Sequence, residues 1–161
     1  MATRGFEFAY MMDGSPATPV IRDFTLGVAA AHLVGDLMLV QSDGYIDAVT
    51  NTTTEVTCVM MEAVAAGDIT AGTTTAKAAI LTRNQVWRCS TGAATAATAL
   101  VGTVKTWDTS DKNTIGATDI TGGAMIVAEG EPGADDISSH FDEEGFVIGY
   151  VVFSDTSFGN A

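Results

Sequence analysis

The chain has 161 residues and a mass of 16.6 kDa, enough for one domain with a real core or for one domain plus an arm. Twenty acidic residues against seven Lys and Arg give a formal net charge of −13, yet 47% of the residues are hydrophobic and the mean hydropathy is +0.25. Disordered acidic chains are poor in apolar residues, so this one is expected to fold. The cations Arg4, Arg22, Lys77, Arg83, Arg88, Lys105 and Lys112 are dispersed, which speaks against nucleic acid and anionic membrane as partners, because both require a concentrated basic surface.

Residues 1–34 differ from the rest and are read as an N-terminal arm, ahead of a body over 35–161. Phe6, Phe8, Tyr10, Met11 and Met12 crowd aromatic and sulfur side chains together, and Asp13-Gly14-Ser15-Pro16 and Pro19 follow. Two prolines and a glycine so close together break a helix or a central strand. Alternation of Phe6, Phe8 and Tyr10 suits an extended segment against an apolar surface, either the first strand of the body or an arm docked on a neighbouring subunit; the arm is preferred. Met1 to Met12 has no apolar h-region or small-residue cleavage site, and no apolar run reaches the roughly 20 residues that span a bilayer. Synthesis in a cytoplasm without general secretion is the expectation. Phe24 to Val34 suits a short helix, weakened by Gly27.

From Gly35 the pattern turns to strand and turn. Asp36 to Val40 and Tyr45 to Val49 flank Ser42-Asp43-Gly44 and read as a hairpin. Val56 to Val64 reads as a strand buried on both faces, with helix an alternative over Met60 to Ala66. Ala78 to Thr82 and Gln85 to Cys89 are two short strands about Arg83-Asn84. Thr91 to Ala99 is Ala- and Thr-rich and reads as loop or weak strand, and Val101 to Trp107 alternates as a strand. Lys112 to Gly123 reads as an exposed loop, and Met125 to Ala128 as a short strand. Glu129 to Gly145 is an acidic loop with one helical turn near Asp135 to His140. Phe146 to Phe153 is the strongest strand of all. About eight short strands and abundant threonine predict an all-β fold, a single barrel, β-tulip-like body or sandwich. Cys58 and Cys89 fall in strand-like segments and are expected to be buried free thiols rather than a disulfide.

Catalytic groupings are not found. His32 and His140 stand far apart without metal-binding spacing, and GxSxG, CxxC and phosphate-loop patterns are absent from the sequence. Asp135, Asp136, Asp142, Glu143 and Glu144 offer the oxygen ligands that calcium prefers, but without EF-hand spacing, so a solvated acidic loop is the expectation. The expectation is therefore no enzyme, no cofactor and no metal.

Gly44-Tyr45-Ile46-Asp47 resembles the GxID core of the trimeric dUTPases, in which the Asp activates water. The likeness covers four residues: Ala48-Val49-Thr50 replaces the acid, Tyr and basic residue expected next, and the tail Ser157-Phe158-Gly159-Asn160 has no arginine for phosphates. Asp47 is read instead as a polar residue facing outward from its strand.

Ala79 to Trp87, Val101 to Thr106, Thr118 to Gly123 and the terminal Gly145 to Phe153 resemble the decoration, or cement, proteins of tailed-bacteriophage heads. The resemblance implies a β-barrel or β-tulip body, often a homotrimer, on the capsid exterior at threefold and quasi-threefold positions. Its partners would be the major capsid protein and itself, and it would staple capsomers in part through an N-terminal arm. Phe6, Phe8, Tyr10, Met11 and Met12 are then the candidate capsid or subunit contacts, with the core of the body the alternative. On the arm reading, the body folds without residues 2–20 and loses capsid affinity. A carbohydrate-binding module of a phage tail or surface fibre is the alternative function, with Trp87, Trp107 and Tyr45 as the aromatics it would expose. The two tryptophans, each in an alternating strand, read as core.

Overall fold

The computed structural model describes residues 5–50, 55–90, 104–107, 115–119, 125–128 and 148–153. Among these the chain forms eleven strands, one 3-10 turn at Ala66–Asp68 and no α-helix, so the all-β expectation holds. Six strands make one antiparallel sheet: β1 (Glu7–Met11), β7 (Gln85–Ser90), β11 (Ile148–Phe153), β10 (Met125–Ala128), β8 (Val104–Trp107) and β9 (Ile115–Asp119), in that spatial order. Five make the other: β2 (Ile21–Thr25), β6 (Thr75–Ile80), β5 (Cys58–Met60), β3 (Leu37–Val40) and β4 (Ile46–Ala48).

The two sheets pack as a sandwich. Trp87 and Cys89 from β7 and Val151 and Phe153 from β11 meet Leu37, Val59 and Ala79 from the five-stranded sheet, with Phe6, Val49, Val56 and Leu81 completing that core. Side chains alternate along a strand, and here both alternations are apolar. Met38, Cys58, Met60, Ala76 and Ala78 face away from the sandwich into a second core with Leu26, Ile46 and Ile69. The five-stranded sheet is therefore buried on both faces at its centre, which is why Cys58, Val59 and Met60 are all fully inaccessible; the strand expected over Val56 to Val64 forms only over these three, and Met61 beyond it is exposed. This sheet curls until Leu26, just past β2, meets Ile46 of β4 in one parallel bridge, with the Gly27 N–H on the Ile46 carbonyl at 3.1 Å. One bridge does not close a barrel; of the three architectures expected, the sandwich is the one formed.

The β3–β4 hairpin forms where Asp43-Gly44 predicts it. Gly44 takes φ +86, and the Asp43 carboxylate accepts the Tyr45 N–H at 3.0 Å. Two other expectations change. Phe24 to Val34 is not a helix, because its backbone groups are used elsewhere: the Leu26 N–H goes to Thr74 O, and His32 exchanges both backbone bonds with Val64 at 2.9 Å. Ile115–Asp119 is a strand within the expected Lys112 to Gly123 loop, held by pairing to β8 despite a sequence with little apolar pattern. The two strands expected about Arg83-Asn84 form as β6 and β7, and they lie in different sheets.

The crossing from β6 to β7 is held by Gln85, only 3% exposed. Its amide donates to the Ile80 carbonyl at 3.1 Å, while its oxygen accepts the Thr82 N–H and the Trp87 indole N–H, each at 3.1 Å. One side chain thereby satisfies three polar groups that burial would otherwise penalise.

A second junction lies at the start of β1. The Phe6 N–H bonds to the Gly35 carbonyl at 3.1 Å, and the Gly35 N–H bonds to Met60 O at 2.8 Å. Gly35 has φ +92, and a Cβ there would stand 2.7 Å from Gly5 Cα and from the Phe6 nitrogen. Both the backbone angle and the space exclude a side chain. Gly35→Ala is expected to lower unfolding free energy by more than about 2 kcal/mol, read by urea denaturation.

Candidate functional site

The N-terminal aromatic segment, first candidate for a contact surface, is built into the body. From Phe6 to Met11 the chain takes the first of its two alternatives: β1 is an edge strand paired with β7, Glu7 opposite Arg88 and Phe8 opposite Trp87. Phe6 is 2% exposed and packs on Phe153 with ring centroids 5.5 Å apart. Phe8 meets Trp87 edge-on at 5.8 Å. Their alternation does not continue to Tyr10, because the register shifts between Phe8 and Tyr10. This bulge sends Tyr10 to the other face of the sheet, beside Val86 and Tyr150. Met11 is buried, and of the five candidates Met12 alone is freely exposed, at 59%. Removing residues 2–20 would take away β1 and part of the core, so that deletion probes folding rather than contact. Phe6→Ala is expected to cost about 3–5 kcal/mol, whereas Met12→Ala stays within about 0.5 kcal/mol, compared by chemical denaturation of the two variants.

Asp47 does not face outward. It lies opposite Leu39 on β4, and its carboxylate fills the space beside Gly27, where a Cβ would come 2.5 Å from Oδ1. Oδ1 is buried and has no hydrogen-bond partner among the described residues. The Asp47 side chain is thus packed against backbone from the Leu26 bridge, not presented to an open cleft. Trp87 is fully buried and cannot meet a sugar, while Tyr45 is half-buried with its ring over Gly72. The side chain of Trp107 and the acidic segment 135–144 lie outside the described residues. Among the described residues no three His, Cys, Asp or Glu side chains are grouped to hold a metal ion.

Cys58 and Cys89 are both buried free thiols, as expected. They belong to different cores, on opposite faces of the five-stranded sheet, which separates them. Burial pushes the Cys58 thiol up to about 12 from an ordinary 9.0. The unfolded chain therefore loses this proton first as pH rises. The stabilisation is fully present below about pH 9 and is lost as pH climbs toward 12. Denaturation at stepped pH is expected to show a decline above pH 9 of roughly 1 kcal/mol per unit from this group, and Cys58→Ala should remove that part of the slope.

The surface feature not anticipated from sequence is an apolar corner. Val28, Leu33 and Val34 are 51%, 49% and 52% exposed, and Ala29, Ala30 and Ala31 between them are exposed too. The two-way backbone bonding of His32 with Val64, and that of Gly35 to Met60, lay this segment beside residues 61–66. There Met61 is 40% exposed, and Ala63, Ala65 and Ala66 are exposed. A charge-free Val-Ala-Ala-Ala-His-Leu-Val run was the available signal, but its apolar residues suited a packed helix equally well.

Compared with protein-family models, with curated proteins and with solved structures, the chain matches none.

Proposed function

We propose that the protein is a non-catalytic structural component of a virion, a decoration protein that binds the outer face of a phage capsid and stabilises it by bridging capsomers. The observation that carries the reading is the apolar corner. The chain buries Phe6, Trp87, Tyr150 and Phe153 almost completely yet leaves Val28, Leu33, Val34 and Met61 open on a strongly acidic protein. Exposed apolar surface of this kind marks a place that another protein covers. The sandwich framework suits the same role, since a cement protein needs only a rigid surface with more affinity for the intact shell than for the broken one. Copies bridging several capsomers gain from multivalency, so each contact can be weak. The N-terminal strand, by contrast, contributes to this function through the body it completes.

Light scattering on the purified protein, alone and then mixed with phage heads stripped of accessory proteins, tests the proposal. A discrete trimer that co-sediments with heads at saturable occupancy is the expected result. A monomer that leaves heads bare would overturn it.

A further inference from the structure

We infer that the free edge of β2 is a docking site for an extended segment of another protein, which adds to the five-stranded sheet as a further strand and sets one carboxylate opposite Arg22. This goes beyond the capsid reading and stands whether or not the partner is a capsid.

Backbone hydrogen bonds define the site. β2 ends the five-stranded sheet and has β6 on one side. Antiparallel partners exchange bonds at every second residue. The Ile80 N–H goes to the Val20 carbonyl at 2.9 Å and the Leu26 N–H to the Thr74 carbonyl at 2.9 Å, so residues 20, 22, 24 and 26 bond toward β6. The N–H and C=O groups of Ile21, Asp23 and Thr25 therefore point away from it. Gly27 is the next member of that row, and its N–H already bonds the Ile46 carbonyl at 3.1 Å. The row thus takes a strand partner at one end. Ahead of Ile46 the chain turns back into β3, with the Gln41 N–H on the Tyr45 carbonyl at 2.7 Å, and no described strand runs along Ile21–Thr25 on this side. Among the described residues, the open groups hold one bond, from the exposed Arg22 guanidinium to the Ile21 carbonyl at 3.3 Å. Val20 and Ile21 beside them are 49% and 47% exposed. A row of unused backbone donors and acceptors next to exposed β-branched side chains fits an extended strand.

The side chains decide between a second copy and a different chain. Outward-pointing residues must oppose outward-pointing residues, so β2 and its twofold copy pair in registers centred on one residue of the strand. Centred on Arg22 or Asp23, the pairing sets that charge against itself. Centred on Ile21, it brings Asp23 against Pro19, which has no N–H. Centred on Phe24 or Thr25, it brings Ile21 or Asp23 against Gly27, whose N–H is already on Ile46. A different strand escapes every one of these conflicts. The charge it carries is set by Arg22, which is exposed. Lys77 is held by Asp23 at 2.9 Å and Arg88 by Glu7 at 3.2 Å, whereas no carboxylate among the described residues pairs with Arg22. Position 22 is one of the close, non-hydrogen-bonded sites of the added ladder. The residue directly opposite is therefore best an Asp or Glu, with apolar neighbours facing Val20 and Ile21.

The test uses the full chain and short capped peptides rich in Val and Thr with one central Glu, titrated at up to millimolar concentration and read by amide NMR shifts and hydrogen exchange. A second peptide has Lys in place of the Glu. A third is N-methylated on the residues flanking Glu, whose amides face β2, and a fourth on Glu and the alternate residues, whose amides face solvent. The Glu peptide is expected to bind and to protect the amides of Ile21, Asp23 and Thr25. Methylation of the flanking residues should abolish this, and methylation of the alternate set should leave it. The Lys peptide should bind about fivefold more weakly, with Arg22→Glu reversing the order. Ile21→Pro removes an N–H that β6 does not use, and should weaken the Glu peptide about tenfold. Equal binding of the two methylated peptides would overturn the inference, as would no binding of the Glu peptide or shifts confined to residues away from β2. A dimer of the protein alone that Ile21→Pro dissolves would overturn it too, making a second copy the occupant.

Discussion

Two glycine backbones in contact allow the sandwich to exist. Gly5 and Gly35 approach so closely that no side chain fits at Gly35, and the bond from Phe6 to Gly35 at that point ties the first strand of one sheet to the start of β3 in the other. Around it the chain turns through Leu33 to Asp36, where the buried Asp36 carboxylate accepts the Leu33 N–H at 3.0 Å. Phe6 then drops into the space between the sheets against Phe153. Position 35 thus sets sheet separation, aromatic packing and the exit direction of the 28–34 loop together. Hydrophobic burial supplies most of the driving force, but this contact decides where the buried groups meet.

The rest of the design follows from burying one sheet twice. A sheet with solvent on one face carries polar residues there, and the chain instead places Met38, Cys58, Met60 and Ala78 on that face and covers them with Leu26 and Ile69. The loops that do the covering run from 26 to 36 and from 61 to 74, and their outer sides form the apolar corner. Shielding a second core and presenting an apolar surface are therefore two faces of the same pair of segments. Paired charges lie on the strands, as in the cross-strand pair of Glu7 and Arg88 at 3.2 Å and the exposed pair of Asp23 and Lys77; pairs as open as the latter add little stability.

Much of this fold was legible and the surface was not. Local signals worked where the physics is local: Asp43-Gly44 specifies its turn, and the apolar Val56 to Val64 run announces a strand without a solvent face, which forms over Cys58 to Met60. They failed where partners are distant. Nothing in Ala78 to Cys89 reveals that Gln85 carries the chain from one sheet to the other, because the bonds that do so depend on tertiary placement of Trp87 and Ile80. The bulge that turns Tyr10 away from Phe8 is equally invisible, since alternation in sequence assumes an unbroken register. The alternation of Phe6 and Phe8 points to an apolar surface, but composition cannot say whether that surface belongs to the same chain. The pattern around Leu33 and Val34 suits a helix whose packing would hide them, whereas both are exposed.

The route of the chain between sheets also governs how the molecule is made. Arg88 finds Glu7 across 81 positions, and Lys77 finds Asp23 across 54. The consecutive strands β6 and β7 do not pair, and β1 and β2 each pair with a strand far along the chain. Loop-closure entropy must be spent before most of the native pairings begin to reward it, which places such topologies among slow folders, on the order of milliseconds to seconds. Because β1 is made well before its partner β7, the nascent chain carries an aromatic edge strand without its neighbour until β7 follows, and the charge that keeps growing copies apart is most useful during that interval.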